Sequence, residues 1–295
     1  MLTLFTTAKP FEGHSGIIQR NALKSWKLLD PEVEVILFGD EEGVAEVCAE
    51  VELRHEPRVE RHASGFKYIN FIFDEAQRLA RHDVLCYVNC DILLGADFLE
   101  AVRRVTAEKR KFLMFGRRWD MDVGEPIDFS NPKWAEEVRQ AAVEANQQQG
   151  ELFIDYFVFR RGLFLHRVPK LVIGRVYWDN WLLWFAGRQG AALVDASAAV
   201  VAVHQNHDYG YHPEGKTGVW NDGLAQRNLE LAGGDTHLGK MSNANYLLTP
   251  TAIKKRTIME RWSYSARVKW RNRVWHPLLD RTRTIRHMLG LKRKV

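Results

Sequence analysis

The stretch Val84-Leu85-Cys86-Tyr87-Val88-Asn89-Cys90-Asp91 decides the fold class that this 295-residue sequence predicts. Its first five residues are apolar throughout, which is typical of a strand covered on both faces in a parallel or mixed sheet. Open α/β sheets bind their ligands at the carboxyl ends of such strands, where Asn89 and Asp91 stand. Oxygen ligands of this kind suit Mg²⁺ or Mn²⁺, which bridge phosphate oxygens. The triplet Asn89-Cys90-Asp91 is also typical of a turn in which Asp91 caps the next helix.

Strands and helices alternate on either side of this stretch. In the first half, strands are predicted at residues 2–6, 33–38, 51–53, 84–88 and 111–115, with helices at 15–29, 41–48, after Ser64 and after Gly95. In the second half, helices are predicted at 134–149, 178–186 and 218–231, and strands at 152–160 and 198–204. This alternation predicts an α/β fold, a doubly wound mixed sheet with helices on both faces.

The composition predicts a globular, unsecreted protein. Hydrophobic residues make up 46% of the chain, which is enough for a substantial core. The three cysteines have no zinc-ribbon spacing and favour a reducing compartment without disulfides. The N-terminus has no basic leader, and no stretch reaches the roughly 18 apolar residues of a membrane span. We therefore expect a cytoplasmic location, with peripheral attachment to the inner face of the membrane left open.

Positive charge is concentrated in the last 42 residues of the chain. The net charge is +5, yet residues 254–295 contain 14 Lys and Arg against Glu260 and Asp280, so the remainder is net acidic. From Arg261 onward, Trp and Leu side chains interleave with the basic ones, which is typical of a helix on an anionic membrane surface. Nucleic-acid binding, or a helix packed on the main domain, would use the same composition. We predict one domain over residues 1–250 and a basic helical C-terminal extension over 251–295.

A family resemblance rests on three strand ends, Thr6-Thr7-Ala8-Lys9, Phe38-Gly39-Asp40 and Tyr87-Val88-Asn89-Cys90-Asp91. In this order they resemble nucleotide-sugar glycosyltransferases of GT-A fold. The resemblance implies that Thr6, Thr7 and Asp40 line a nucleoside pocket and that Asp91 binds Mn²⁺ or Mg²⁺ at the diphosphate. Asn89 stands where the family motif has Asp, and we expect it to bind the ribose or a metal-bound water.

Three basic residues lie in segments that we expect at the same edge of the sheet. They are Lys9, Arg61 and Lys67. A cation there neutralises charge that develops on a leaving nucleotide, so each is a candidate contact of the diphosphate. Most such side chains in any protein are simply solvated surface.

Two histidines follow the strand predicted at 198–204. His204 and His207 stand in a loop region that also contains Asp208 and His212. GT-A enzymes often add a histidine from the C-terminal half to the metal site, so the resemblance implies that His204 or His207 joins Asp91 as a ligand. A single histidine at a strand end is more often a satisfied polar group. A zinc hydrolase would be a rival use, but a helical HExxH motif is absent.

A second acidic segment, Tyr177-Trp178-Asp179-Asn180-Trp181, offers a candidate catalytic base. An inverting transferase needs a carboxylate that takes the proton of the acceptor hydroxyl, and tryptophans suit a sugar face. The segment resembles the Trp-Asp-Asp-Trp run that carries the base in N-acetylglucosaminyltransferase I, with Asn180 at the second acidic position. Asp155 is the competing candidate, and Asp179 as a helix cap among core tryptophans is the structural alternative.

Together these features predict a GT-A-like glycosyltransferase. Its donor would be a nucleoside-diphosphate sugar, its acceptor a hydroxyl of a glycan or lipid-linked molecule, and its cofactor Mn²⁺ or Mg²⁺. A sugar-phosphate nucleotidyltransferase would share the sheet but needs a glycine-rich phosphate loop, and residues 6–13 contain only one glycine. A non-enzymatic membrane or nucleic-acid adaptor is the third alternative, and it leaves the acidic clusters unexplained.

Overall fold

The computed structural model describes residues 1–207, 215–257 and 259–260. The predicted basic helix from Arg261 onward, with its membrane and nucleic-acid alternatives, lies outside the described residues. The same is true of Asp208 and His212. Residues Met1–Lys254 form one compact unit, and the predicted boundary after residue 250 stays a prediction. Within the described part of the chain, no helix is both long and apolar enough to cross a membrane.

The described elements alternate between strand and helix in the first half of the chain. The strands are β1 (Leu2–Thr7), β2 (Glu34–Phe38), β3 (Arg54–Glu56), β4 (Val84–Val88), β5 (Ile92–Leu93), β6 (Phe112–Met121), β7 (Ile154–Arg160), β8 (Ala192–Asp195), β9 (Ala202–Gln205), β10 (Tyr246–Leu248) and β11 (Ile253–Lys255). The helices are α1 (Gly13–Lys27), α2 (Val44–Val51), α3 (Ile69–Leu79), α4 (Ala96–Glu108), α5 (Trp134–Glu144), α6 (Trp178–Arg188), α7 (Gly215–Asn221) and α8 (Gly223–Ala232).

The sheet is mixed. Its strand order is β11-β10-β8-β6-β7-β4-β1-β2-β3, and β5 and β9 pair with each other beside β6. Strand β1 is parallel to β2 and β4, whereas β7 runs antiparallel to its neighbours β4 and β6. The carboxyl ends of β1, β2 and β4 therefore meet at one edge, which is where an open α/β sheet binds its ligands.

Both faces of the sheet are covered by helices, as the sequence predicted. One core cluster joins the sheet to α1, α2 and α4 and includes Trp26 and Phe98. The other joins it to α3, α6 and α8 and includes Phe73, Trp181 and Ala232. Strand β4 is buried along its whole length between the two clusters, which explains its unbroken apolar sequence. The predicted doubly wound mixed α/β fold is confirmed.

Several predicted boundaries were wrong. The weak strand predicted at 51–53 lies at β3 instead, because α2 continues to Val51 and ends at Glu52 in the left-handed conformation (φ 56°). The helix predicted at 218–231 is two helices, since the side chain of Asp222 caps the N-terminus of α8 by accepting from the backbone N–H of Ala225. Strand β6 continues six residues past the predicted end at 115, and the added residues contribute to the site below.

Candidate functional site

Asp91 is held in place by a buried glutamine. The backbone carbonyl of Asp91 accepts hydrogen bonds from the backbone N–H of Gln205, at 3.1 Å, and from its Nε2, at 3.2 Å. Gln205 is fully buried, donates to the carbonyl of Ile18 at 2.7 Å and accepts from Asn21 at 3.0 Å. These bonds connect the turn after β4 to both α1 and β9. The position of Asp91 is therefore fixed by long-range contacts.

Asp91 meets both predicted histidines. Its Oδ2 lies 3.2 Å from Nε2 of His207 and 3.7 Å from Nε2 of His204. The three side chains are the one group of His, Cys, Asp and Glu ligands within the described residues that could hold a metal ion, with ligand atoms within 4.8 Å of one another. Ligand atoms around a single Mg²⁺-sized ion lie roughly 3–4 Å apart. The spacing therefore fits one divalent cation after small side-chain movements.

The surroundings of Asp91 keep its side chain ionised, which a metal ligand requires. Burial alone would raise the pKa of Asp91, but the charges of His204, His207 and Arg118 outweigh it and hold that pKa well below its usual range. Its Oδ1 is buried and has no hydrogen-bond partner among the described residues. A buried carboxylate oxygen without a partner is costly in a protein interior, and a bound cation would satisfy it.

Arg118, from the part of β6 that the sequence did not predict, organises the acids around the cluster. Its Nη1 lies 3.2 Å from Oδ2 of Asp155, and its Nε donates to Oδ1 of Asp120 at 2.9 Å. Asp155 also accepts from the side-chain amide of Asn89 at 2.7 Å. The guanidinium therefore holds two carboxylates, one beside Asn89 and one beside His204.

The cluster opens onto a cleft of about 660 Å³ at the carboxyl ends of β1, β2 and β4. Nine of the predicted site residues line this cleft: Thr7, Lys9, Arg61, Lys67, Asn89, Asp91, Asp155, His204 and His207. Three do not, namely Thr6, Asp40 and Asp179. Thr6 is fully buried in the sheet, because side chains alternate along a strand and Thr7 takes the position that faces the cleft.

At the end of β2 the cleft is lined by Glu41, one residue beyond the predicted Asp40. Asp40 is 65% exposed and forms an ion pair with Arg61, whose hydrogen bond lowers the pKa of this carboxyl. Glu41 lies 2.6 Å from Nζ of Lys67 and 3.0 Å from Nη2 of Arg61. Lys67 also donates to the hydroxyl of Thr7, so its ammonium connects the ends of β1 and β2 within the protein.

Asp179 lies in the first turn of α6, directly after Trp178, which lines the cleft. Burial raises the pKa of Asp179 to about 6, with a smaller contribution from the charge of Asp155. Its Oδ1 is buried and has no hydrogen-bond partner in the described part of the chain. By contrast, both oxygens of Asp155, the competing candidate base, accept from Arg118.

The sequence prediction missed four residues of this site. They are Glu41, Arg118, Asp120 and Arg175. Arg175 lines the cleft with its guanidinium over the ring of Phe66 and its Nε bonded to Asp222 at 2.6 Å. Arg118 and Asp120 are two positions apart and therefore share one face of β6. Alternating charged residues directly after the apolar run at 112–115 were the signal that could have predicted a longer strand and these two residues.

Fold and site together define an α/β protein with a carboxylate and histidine cluster at the strand ends of a mixed sheet. No protein-family model matches the sequence, and none of the curated proteins matches it.

Among solved structures, the chain is similar to TarS of S. aureus in complex with UDP-GlcNAc, with 11% identity and a TM-score of 0.47. That match covers 70% of this chain and 58% of the TarS chain. Glucosyl-3-phosphoglycerate synthase from Mycobacterium tuberculosis, in complex with Mg²⁺ and UDP, has 13% identity and a TM-score of 0.45, with 70% and 72% of the two chains covered.

The mannosyltransferase PcManGT from Pyrobaculum calidifontis, in complex with GDP-Man and Mn²⁺, has 14% identity and a TM-score of 0.45, with 72% of this chain and 58% of that chain covered. These likenesses are partial.

Proposed function

We propose that this chain is a metal-dependent glycosyltransferase of GT-A type. It would transfer a sugar from a nucleoside-diphosphate sugar to a hydroxyl of a glycan or lipid-linked acceptor. The observation that carries the proposal is the cluster of Asp91, His204 and His207, with its unpartnered carboxylate oxygen, at the strand ends of an α/β sheet. One carboxylate with two imidazoles can hold a first-row divalent cation, and the diphosphate oxygens that would complete its ligand shell favour Mn²⁺ among these metals.

The cleft beside the cluster suits a nucleoside diphosphate. Its volume of about 660 Å³ falls within the range of small-molecule sites. Thr7 and Glu41 line it at the ends of β1 and β2, where they offer polar groups to a base and a ribose. Lys9 and Arg61 line the same cleft and supply positive charge for the phosphates.

Each polar residue has a role in the proposed transfer. Asp91 and the two histidines hold the cation, which when bound neutralises negative charge on the departing nucleoside diphosphate. The Nδ2–H of Asn89 donates a hydrogen bond to Asp155. The Oδ1 of Asn89 can then accept a hydrogen bond from a ribose hydroxyl. Asn89 therefore takes a binding role at the position where the family motif has an acid.

Asp179 is the proposed base if the anomeric centre inverts, and it would reach the cleft beside Trp178, which lines it, since Asp179 itself is not a lining residue. A carboxyl whose pKa is about 6 is mostly deprotonated at neutral pH and can therefore accept a proton. One of its oxygens also has no hydrogen-bond partner in the described residues. Because the base must be deprotonated, we expect kcat/KM to fall as the pH drops through about 6. The profile is measured at saturating Mn²⁺, so that protons do not displace the metal from the histidines.

The matching variant is Asp179→Asn. We expect it to lower kcat by about 10²–10⁴-fold, the usual contribution of general base catalysis, with the KM for the donor unchanged. Two results would assign the base to another residue. One is a wild-type kcat in Asp179→Asn, and the other is residual activity of that variant that still falls as the pH drops through about 6.

Calorimetric titration with nucleoside diphosphates tests the proposed function. We expect one or more of UDP, GDP, ADP and CDP to bind in the presence of Mn²⁺ and to lose most of that affinity when the metal is removed. The His207→Ala variant should lose the metal dependence, because it removes one ligand. The control variant His166→Ala removes a histidine that is 78% exposed and should bind as the wild type does.

Three results would contradict the proposal. They are equal binding with and without metal, no binding of any diphosphate, and turnover of a nucleoside triphosphate with a sugar phosphate. The last would indicate a nucleotidyltransferase. If a nucleoside diphosphate does bind in the presence of Mn²⁺, titration with the corresponding intact nucleotide-sugars would identify the donor.

A further inference from the structure

Asp120 and His204 lie side by side at the end of the sheet. Strands β6 and β9 are parallel, and their register places Asp120 opposite His204. On its other side His204 pairs with Ile92 of β5, next to Asp91 in the chain. Backbone pairing on both sides therefore fixes His204 between an acid of β6 and the proposed metal ligand.

The two ring nitrogens of His204 face different carboxylates. Its Nδ1 lies 3.2 Å from Oδ1 of Asp120, and its Nε2 lies 3.7 Å from Oδ2 of Asp91. The His204 side chain is 7% exposed and that of Asp120 is 15% exposed, so water competes little for this contact. As the ring stands, Nδ1 is buried and makes no hydrogen bond within the described residues. A small rotation of the ring would let Nδ1–H donate to Asp120, while Nε2 stays on the side of Asp91.

A carboxylate in this position selects the tautomer of a neutral imidazole. When Nδ1 carries the proton and donates it to a carboxylate, the lone pair is left on Nε2, and the ring is held at a fixed angle. Asp120 is itself held by Nε of Arg118 at 2.9 Å, and the same guanidinium pairs with Asp155. Asp120 is therefore an anchored acceptor.

We propose that Asp120 is a positioning residue of the metal site. It accepts the Nδ1–H of His204 and so presents Nε2, together with the carboxylate of Asp91, to a divalent cation. This inference rests on the proposed function, since it assumes that the cluster binds a metal. Arg118 extends the same network to Asn89 through Asp155, so that one guanidinium supports both the metal ligand and the proposed ribose contact.

Metal affinity without turnover tests the proposal. Mn²⁺ is titrated into wild-type protein and Asp120→Asn, and free Mn²⁺ is measured by electron paramagnetic resonance. We expect Asp120→Asn to bind Mn²⁺ about 10–100-fold more weakly, the usual effect of removing an outer partner of a metal-bound histidine. The control Asp128→Asn removes the same charge from an exposed residue whose side chain caps a local turn at Ser130, and it should bind as the wild type does.

The tautomer of His204 is a second measurement that needs no variant at Asp120. Long-range ¹H–¹⁵N correlation spectra of the full chain at alkaline pH, with His204→Gln used for assignment, should show the proton of His204 on Nδ1. If circular dichroism shows that Asp120→Asn does not fold, the tautomer of His204 in the wild-type chain tests the role of Asp120 by itself.

The outcomes separate the two proposals. No Mn²⁺ binding by the wild type would overturn both the proposed metal site and the role of Asp120. Wild-type binding with equal affinity in Asp120→Asn, or a His204 proton on Nε2, would overturn the role of Asp120 alone. Equal weakening in Asp120→Asn and Asp128→Asn would assign the effect to net charge and would also overturn it.

Discussion

Asp91→Asn is expected to abolish sugar transfer and leave the fold intact. Asp91 is the one carboxylate of the three-residue metal cluster found within the described residues, and the substitution removes its charge without changing its shape. A divalent cation contributes several kcal/mol to the stabilisation of charge on a phosphoryl oxygen. Because about 1.4 kcal/mol corresponds to a tenfold change in rate, we expect kcat/KM to fall by about 10³-fold or more.

The measurement is steady-state turnover of the nucleotide-sugar identified by calorimetry, together with the Mn²⁺ affinity of the variant. Circular dichroism should be unchanged, because the backbone of Asp91 stays bonded to Gln205 and Oδ1 makes no hydrogen bond within the described residues. Asp128→Asn again serves as the charge-matched control. Turnover of Asp91→Asn within a few-fold of the wild type would remove Asp91 from the metal site.

Asp155→Ala is expected to cost about 3 kcal/mol of unfolding free energy. Asp155 and Arg118 have side chains only 9% and 11% exposed, and removal of one partner leaves a buried charge without full compensation. Such losses are typically about 3–5 kcal/mol, and the lower value applies because Arg118 keeps its bond to Asp120. The amide of Asn89 loses its acceptor as well, which adds to the cost.

Urea unfolding at neutral pH measures this free energy, and Asp83→Ala is the matched control. Asp83 also pairs with an arginine, Arg161, at 3.3 Å, but its side chain is 81% exposed. An exposed ion pair contributes about 0–1 kcal/mol, so the two alanine variants should differ clearly. Equal losses in the two variants would show that the Arg118 network does not stabilise the fold.

Much of the fold could be predicted because periodicity reports burial directly. Strand β4 was predicted at its observed bounds, since a strand covered on both faces must be apolar at every position. The amphipathic helices α1 and α3 were found for the same reason, with their ends displaced by a few residues. The strands β5, β8, β10 and β11 were not predicted, because two to four residues are too short for a period to show.

Of the site, residues that directly follow long apolar strands were the easiest to find. Asn89, Asp91 and Thr7 line the cleft as expected, because their positions depend on where β1 and β4 end. At the end of β2 it is Glu41 that lines the cleft, one residue after the predicted Asp40, whose role stays a prediction. That choice depends on the rotation of a short loop and on the pairing of Glu41 with Lys67, neither of which leaves a local pattern.

The sequence by itself determined that a doubly wound α/β sheet carries Asn89 and Asp91 at the end of its buried central strand. Only the tertiary structure decided which side chains meet Asp91. His207 lies 116 residues further along the chain, and Asp120 reaches His204 through the register of β6 and β9. The physical reason is that a strand's register fixes which face each side chain takes, and a slip of one residue would turn Asp120 away from His204. Non-local register of this kind depends on the packing of the whole sheet.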